Sequence, residues 1–443
     1  MRELPVANSK HMTDPYPANF LTEPSDLPTP RYSRGATGPT NFYAPGARDL
    51  LPLDVAQKRW VEKRIQDVFH RWGYHRIITS TLERLETLIA GGAVDRDSVI
   101  QIPAIDGGTL GLRPELTASI ARAAVARMGD IYPQRLYYNA NVFLKSDLEH
   151  HGRQQEFYQA GIELLGIGGI RADVEAILLM IDCLTSLAVP NWQIILGEAG
   201  LSRALLAQFP SEFQTQIRQC LAHLDRVTLE QIPLTPQQQE LALCLLDLRG
   251  NPALVLTKLA QLQLDAHSQA TISHLQMVVD LLTTTTNAQI PLILDLSLIQ
   301  TFDYYTGIVF EAVSITADRA HILGKGGRYD KLLALYHPQG QNFPGIGFAL
   351  NIEDLQQVLQ ANPAMPRYTA KPDWLVVAVT STATAAALSY AHQLRATPEL
   401  VRVEMYLDDG NLAQIRQIAI DRGTARIAWV SDEEVKVEEL GAE

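Results

Sequence analysis

Residues 302–311 read FDYYTGIVFE, residues 324–332 GKGGRYDKL and residues 345–355 GIGFALNIEDL. Gly307 to Ser314 predicts a strand, and Gly345 opens a segment that continues into a helix. The glycines of Gly324-Lys325-Gly326-Gly327-Arg328 let backbone N–H groups approach an anion, and two cations stand beside them. The spacing matches neither G-x-x-x-x-G-K-[ST] nor G-x-G-x-x-G. Taken alone, such a glycine turn is more often structural than functional, and Asp303 to Gly307 reads equally well as a strand with a turn.

Working outward, Ile293 to Ser297 predicts another strand, and roughly 200 to 286 is a nearly all-helical block. Short linkers near Asn191 and Thr283 to Thr286 bracket it. Ala172 to Ala188 reads as a long helix. Arg135 to Leu165 is β-rich, with Leu136-Tyr137-Tyr138 and Glu156 to Leu165 as strands around a charged loop. Asp54 to Trp72 has helical periodicity, Gly73 ends that helix, and Tyr74 to Thr79 follows as a strand. Residues 1 to 40 hold seven prolines among polar neighbours and read as an unstructured lead-in. Downstream, Pro363, Pro366 and Pro372 mark a boundary. Trp374 to Val379, a helix, Val401 to Tyr406, a helix and Arg426 to Val430 then alternate as a small α/β domain of about 70 residues. The expected organisation is therefore a lead-in (1–40), a core (41–365) with a helical insertion at about 190–290, and a C-terminal domain (366–443).

Composition narrows the function classes. Of 443 residues, 47% are apolar and 19% charged, which is globular rather than disordered or fibrous. Lys plus Arg total 37 against 49 Asp plus Glu, a net charge of −12 that disfavours a broad polyanion-binding surface. From 367 to 443, eight Lys/Arg face twelve Asp/Glu, without the basic face expected of an RNA-binding domain. Cys183, Cys220 and Cys244 include no C-x-x-C pair, so buried thiols in a reducing cytoplasm are expected, with no metal site. The longest apolar run, Ala176 to Val189, is broken by Asp182 and falls short of the roughly 18 residues of a membrane span. The N-terminus has no basic start followed by an apolar stretch, so neither signal peptide nor membrane association is expected.

The three opening stretches do not stand alone. Ahead of them, in order, come GARDL (46–50), RPELT (113–117), Gly152-Arg153 through Phe157, and QAGIE (159–163). This ordered set resembles histidyl-tRNA synthetases and their non-synthetase relatives, the regulatory subunits of ATP phosphoribosyltransferase. The resemblance covers about 44 to 440. It implies an α+β fold: a class II aminoacyl-tRNA synthetase-like antiparallel sheet core with a helical insertion, and a shortened anticodon-binding-like α/β domain. It also implies dimerisation through helix 54–72 and the strand after it, where the family's proline is Ser80.

The resemblance further implies a histidine pocket. The ligand ammonium would meet Glu115, Thr117 and Gln159, the imidazole would be held by Glu163, Tyr305 and Tyr329, and Tyr304 is also expected in the histidine site. A buried carboxylate beside an imidazole N–H forms a charge-assisted bond that selects against apolar analogues. Arg328 or backbone N–H groups are candidates for the ligand carboxylate. The machinery for making an adenylate is another matter, since it needs arginines around the phosphates. At the family's arginine positions this chain has Leu144, Gln155, Gln300 and Asp354. Losing one such donor costs about 10²- to 10³-fold in rate.

The resemblance thus implies a non-catalytic, cytoplasmic regulatory subunit without cofactor. It would be a homodimer within a hetero-oligomer, activating the short-form ATP phosphoribosyltransferase catalytic subunit and mediating L-histidine feedback in the first step of histidine biosynthesis. tRNA is disfavoured as a partner. The alternatives are a histidyl-tRNA synthetase with an unusual ATP site and a stand-alone histidine- or RNA-binding regulator.

Overall fold

The computed structural model describes residues 48–92, 94–129, 131–145, 154–285, 290–298, 305–317, 319–408 and 410–440. The expected lead-in, residues 1–40, lies outside the described residues.

Helix α1 (Pro52–Arg71) forms because Val61, Ile65, Val68 and Phe69 recur on one face and are buried together. Pro52 begins it, the Leu51 N–H donates to Asp54 Oδ2 at 3.0 Å, and Gly73 at φ +77° ends it. The strand expected over Tyr74 to Thr79 shrinks to β1 (His75–Arg76) at a sheet edge. Beyond Ile77, whose N–H donates to the Tyr137 carbonyl, the chain leaves the large sheet, and Ile78 is 79% exposed. A small sheet follows, made of β2 (Leu82–Arg84), β3 (Gln101–Pro103) and β4 (Thr109–Leu112) in the order β2-β4-β3, with α2 (Leu85–Ile89) between its first two strands. Its strands are too short to show alternation in the sequence. Helix α3 (Thr117–Ala123) then leads to a long antiparallel pair, β5 (Gln134–Phe143) and β6 (Glu156–Leu165). Helix α4 (Ile170–Ser186) is apolar on nearly every side and correspondingly buried.

Strand β7 (Trp192–Glu198) falls inside the expected helical insertion but pairs with the central sheet, so the helices begin only at α5 (Ala199–Leu206). They continue as α6 (Ser211–His223), α7 (Arg226–Gln231), α8 (Pro236–Leu246), the short strand β8 (Arg249–Gly250), α9 (Pro252–Ala260) and α10 (Ala266–Thr285). The chain returns to the sheet with β9 (Leu292–Asp295), β10 (Ile308–Ile315), β11 (Ala320–Arg328) and β12 (Gly345–Asn351), then α11 (Ile352–Val358). The sheet order is β1-β5-β6-β12-β11-β10-β7-β9-β8, with β1–β5 and β7–β9 parallel and the other pairings antiparallel. Ile162, Leu164, Phe310, Ile346 and Phe348 face the main core together with α1 and α4. Alternation sends Tyr138, Gln159, Gly161, Glu163, Lys325, Gly327, Gly347 and Asn351 to the other face.

The C-terminal sheet contains β13 (Trp374–Ala378), β14 (Val403–Met405), β15 (Arg426–Val430) and β16 (Val435–Glu439), ordered β14-β13-β15-β16. Helix α12 (Thr384–Arg395) packs Ala387 and Ala391 on Val376 and Ala428, while α13 (Leu412–Asp421) packs Ile415 and Ala419 on Leu375 and Ile427. Strand β16 follows the last strand expected from the sequence, in a stretch rich in Asp and Glu. Its alternating Val435-Lys436-Val437-Glu438 suits an edge strand, where charge discourages further pairing.

Candidate functional site

Glu163 on β6 stands opposite Gly347 on β12, and a Cβ at 347 would collide with Glu163 Oε2. Gly345 makes the same room for the Tyr329 ring. A Cβ at Gly327 would lie 2.7 Å from the Tyr305 ring, and one at Gly161 would lie 2.5 Å from the Tyr138 hydroxyl. The glycines of these stretches therefore seat polar side chains on the sheet.

Those side chains converge. Thr117 Oγ1 donates to Glu163 Oε1 at 2.7 Å, and the Tyr329 hydroxyl donates to Glu163 Oε2. Glu163 is only 1% exposed, and burial pushes its carboxyl up to about 8 despite both hydrogen bonds, with Glu115 adding to the rise. Glu115 accepts from the Thr117 N–H and from the Ala118 N–H (2.9 Å), closing the start of α3, and burial raises its carboxyl as well. Tyr305 is buried against Gly327, and its carbonyl accepts from Arg203 Nη1 at 2.9 Å. Burial, and after it the fields of Glu163, Glu115 and Tyr305, hold the Tyr138 phenol well above the usual range. Glu115, Thr117, Glu163, Tyr305 and Tyr329 are thus brought together as expected. Tyr138 was missed, because which of the adjacent Tyr137 and Tyr138 faces the cleft depends on a strand register that the sequence does not display. Gln159 lies on the same face of β6 as Glu163, and its Nε2 donates to Asn351 Oδ1 at 3.4 Å.

Arg328 does not join them. It points to the opposite face, where Nε and Nη2 donate to Asp173 Oδ1 at 2.9 and 2.6 Å and Nη1 donates to Asp330 at 3.1 Å. His274 of α10 meets the other Asp173 oxygen at 2.8 Å. Arg328 as a partner for a ligand carboxylate is thereby corrected: it is neighbour to Tyr329 in an extended chain, so the two side chains face opposite ways. Tyr304 and Gln300 lie outside the described residues, as does the loop of residues 146–153.

Farther along the floor the chemistry changes. The Leu144 N–H donates to the Gln155 carbonyl at 2.9 Å, so two of the positions where arginine was sought face each other in a backbone pair. Asp354, at the third, accepts from Asn351 Nδ2 at 3.3 Å, and burial raises its carboxyl while Asn351, His321 and Arg319 oppose the rise. Lys325 Nζ is paired with the buried Glu311 at 2.7 Å. Arg113, next to the pocket in sequence, is used structurally: it donates to Thr79, Ser80 and Asn141 carbonyls and to Asn141 Oδ1. The arrangement sets one buried and one partly buried carboxyl among several hydroxyls, a lining suited to N–H groups.

The histidyl-tRNA synthetase family model matches residues 46–355. The chain is 57% identical over 388 residues to the ATP phosphoribosyltransferase regulatory subunit of Nostoc sp. (strain PCC 7120), covering 87% of this chain and 96% of that one. It is 55% identical over 399 residues to the regulatory subunit of Nostoc punctiforme, covering 90% and 98%. Among solved structures, an ATP phosphoribosyltransferase regulatory subunit/histidyl-tRNA synthetase from Bacillus halodurans superposes with a TM-score of 0.74 at 25% identity, over 90% of this chain and all of that one. The histidyl-tRNA synthetase of Nostoc sp. PCC 7120 shares the fold, with a TM-score of 0.71 at 18% identity over 90% of this chain and 95% of that one. Among the described residues, no helix is long and apolar enough to cross a membrane.

Proposed function

This chain belongs to the family of histidyl-tRNA synthetase-like ATP phosphoribosyltransferase regulatory subunits, and we propose that it partners a short-form ATP phosphoribosyltransferase catalytic subunit, activating it and imposing inhibition by L-histidine. The observation that carries this is the buried clamp on Glu163. An imidazole N–H meeting a desolvated carboxyl gains a charge-assisted bond, and a ligand without that N–H leaves the carboxyl unsatisfied. Glu115, which keeps lone pairs beyond those used in capping α3, and Gln159 are the acceptors for the ligand ammonium. Tyr138, Tyr305 and Tyr329 line the ring.

Adenylation is not part of the proposal. Leu144, Gln155 and Asp354 supply no guanidinium to stabilise charge on a leaving pyrophosphate, and Asp354 adds a carboxyl instead. The acidic C-terminal domain likewise argues against tRNA as a partner. The working unit is a homodimer within a hetero-oligomer. Histidine inhibits by binding one assembly state more tightly than another, a coupling of about 1 to 3 kcal/mol in systems of this kind.

The test is catalytic turnover of ATP and phosphoribosyl pyrophosphate by the short catalytic subunit of the same organism, with and without this chain and then with histidine. Activation by the chain, and inhibition by histidine only in its presence, is the expected result. Unchanged turnover and no co-elution of the two chains would overturn the proposal.

A further inference from the structure

Resting on that reading of the pocket, we infer that Asp354 and Asn351 are positioning residues that set the orientation of the Gln159 side-chain amide and thereby the recognition of the ligand's amino group. Asn351 on β12 is directly opposite Gln159 on β6, both on the cleft face. Asp354, in the first turn of α11, accepts from Asn351 Nδ2 at 3.3 Å. A carboxylate cannot donate, so this bond commits the Asn351 amide to present its oxygen the other way. That oxygen accepts from Gln159 Nε2 at 3.4 Å. With its nitrogen drawn to Asn351, Gln159 turns its own Oε1 into the cleft as an acceptor.

An amide is nearly symmetric in shape, and only its hydrogen-bond partners decide which end faces a ligand. The chain Asp354–Asn351–Gln159 has a fixed polarity because it begins at a group that, ionised, only accepts. An arginine at 354 would reverse it: a guanidinium donates, Asn351 would turn its oxygen toward the arginine and its NH₂ toward Gln159, and Gln159 would present NH₂ to the cleft. The residue that removes a cation from the phosphate end of the floor therefore also tunes the amino-acid end. Arg319 and His321 are the other charged or titratable groups beside Asp354, and Arg319 is itself bonded to Gln357 Oε1 at 2.6 Å.

Two ligands separate amino-group recognition from general integrity: L-histidine, and 3-(imidazol-4-yl)propionate, which lacks the ammonium. Binding of each is measured by calorimetry on the full chain. The wild-type chain is expected to prefer histidine. Asp354→Ala is expected to weaken histidine by about 10-fold and the propionate by less than about 2-fold. Asp354→Asn, whose amide can donate as well as accept and so no longer fixes the polarity, should lose part of the preference, less than Asp354→Ala does. Asn351→Leu should match Asp354→Ala, and the double variant should lose no more than either, because the bonds act as one chain. Equal weakening of both ligands by Asp354→Ala, or no change in the preference, would overturn the inference while leaving histidine binding intact. Absence of histidine binding by the wild-type chain would instead remove the pocket assignment on which it rests.

Discussion

At the Glu163 end of the cleft floor, buried carboxyls and hydroxyls are matched to one another, and glycine at 161, 327, 345 and 347 clears space for them. At the Asp354 end, the same strands carry groups that bond among themselves: Leu144 with Gln155, Lys325 with Glu311, and Asn351 with Asp354. Both ends bond internally, the first by donating hydroxyls to a buried carboxyl and the second by pairing a cation and an amide with carboxyls. On the proposed reading, the difference is that between a floor built around a buried carboxyl and one closed by ion and amide pairs.

That comparison can be broken in several ways. The largest effect is expected from Arg328→Leu, which leaves Asp173 buried without its guanidinium and should cost about 3 to 5 kcal/mol in denaturant unfolding. The fraction still folded should bind histidine with little change, since Arg328 lies on the far face; a selective loss of affinity would return it to the pocket. Next comes Gly347→Ala. The added Cβ strikes Glu163 and should cost about 1 to 3 kcal/mol of thermal stability and abolish histidine binding. Retained binding would show that the clamp on Glu163 is not the ligand site.

Glu163→Gln keeps the shape but removes the charge-assisted bond, and should weaken histidine by about 30-fold, or about 2 kcal/mol, in calorimetry. The pH profile sharpens this. Glu163 in the free protein holds its proton below about 8, whereas the ring of free histidine is protonated below about 6.5. The bound pair shares a single proton. Below about 6.5 the ligand brings a second proton that must leave, and above about 8 the protein has lost the shared one, so affinity should plateau between and fall about tenfold per pH unit on either side. Glu163→Gln should lose the fall that begins at about 8 and keep only the one set by deprotonation of the ligand's own amine. The smallest effect is expected from Leu144→Arg: one restored guanidinium should give no ATP–pyrophosphate exchange above background, because the remaining donors are still missing.

Much of this was legible in order and type. The ordered motifs located Glu115, Thr117, Glu163, Tyr305 and Tyr329, and periodicity located α1 and α4. What failed did so for specific reasons. Arg328 and Tyr329 cannot both face the cleft from one strand, and the parity of adjacent positions would have revealed it. Tyr138 needed the β5–β6 register, which depends on pairing between segments separated by a loop. Strand β7 was absorbed into the helical block because a buried central strand and the start of a buried helix have similar apolar composition. Strand β16 was hidden by its acidity, although its alternation of valine with charge was in plain view.

Arg328 has one more consequence. It is peptide-bonded on one side to Gly327, beneath the Tyr305 ring, and on the other to Tyr329, which holds Glu163. Its guanidinium is anchored on Asp173 of α4, which in turn grips His274 of α10. The Tyr329–Glu163 bond and the outer helix α10 are thereby the two ends of one unbroken run of covalent and hydrogen bonds through Arg328 and Asp173.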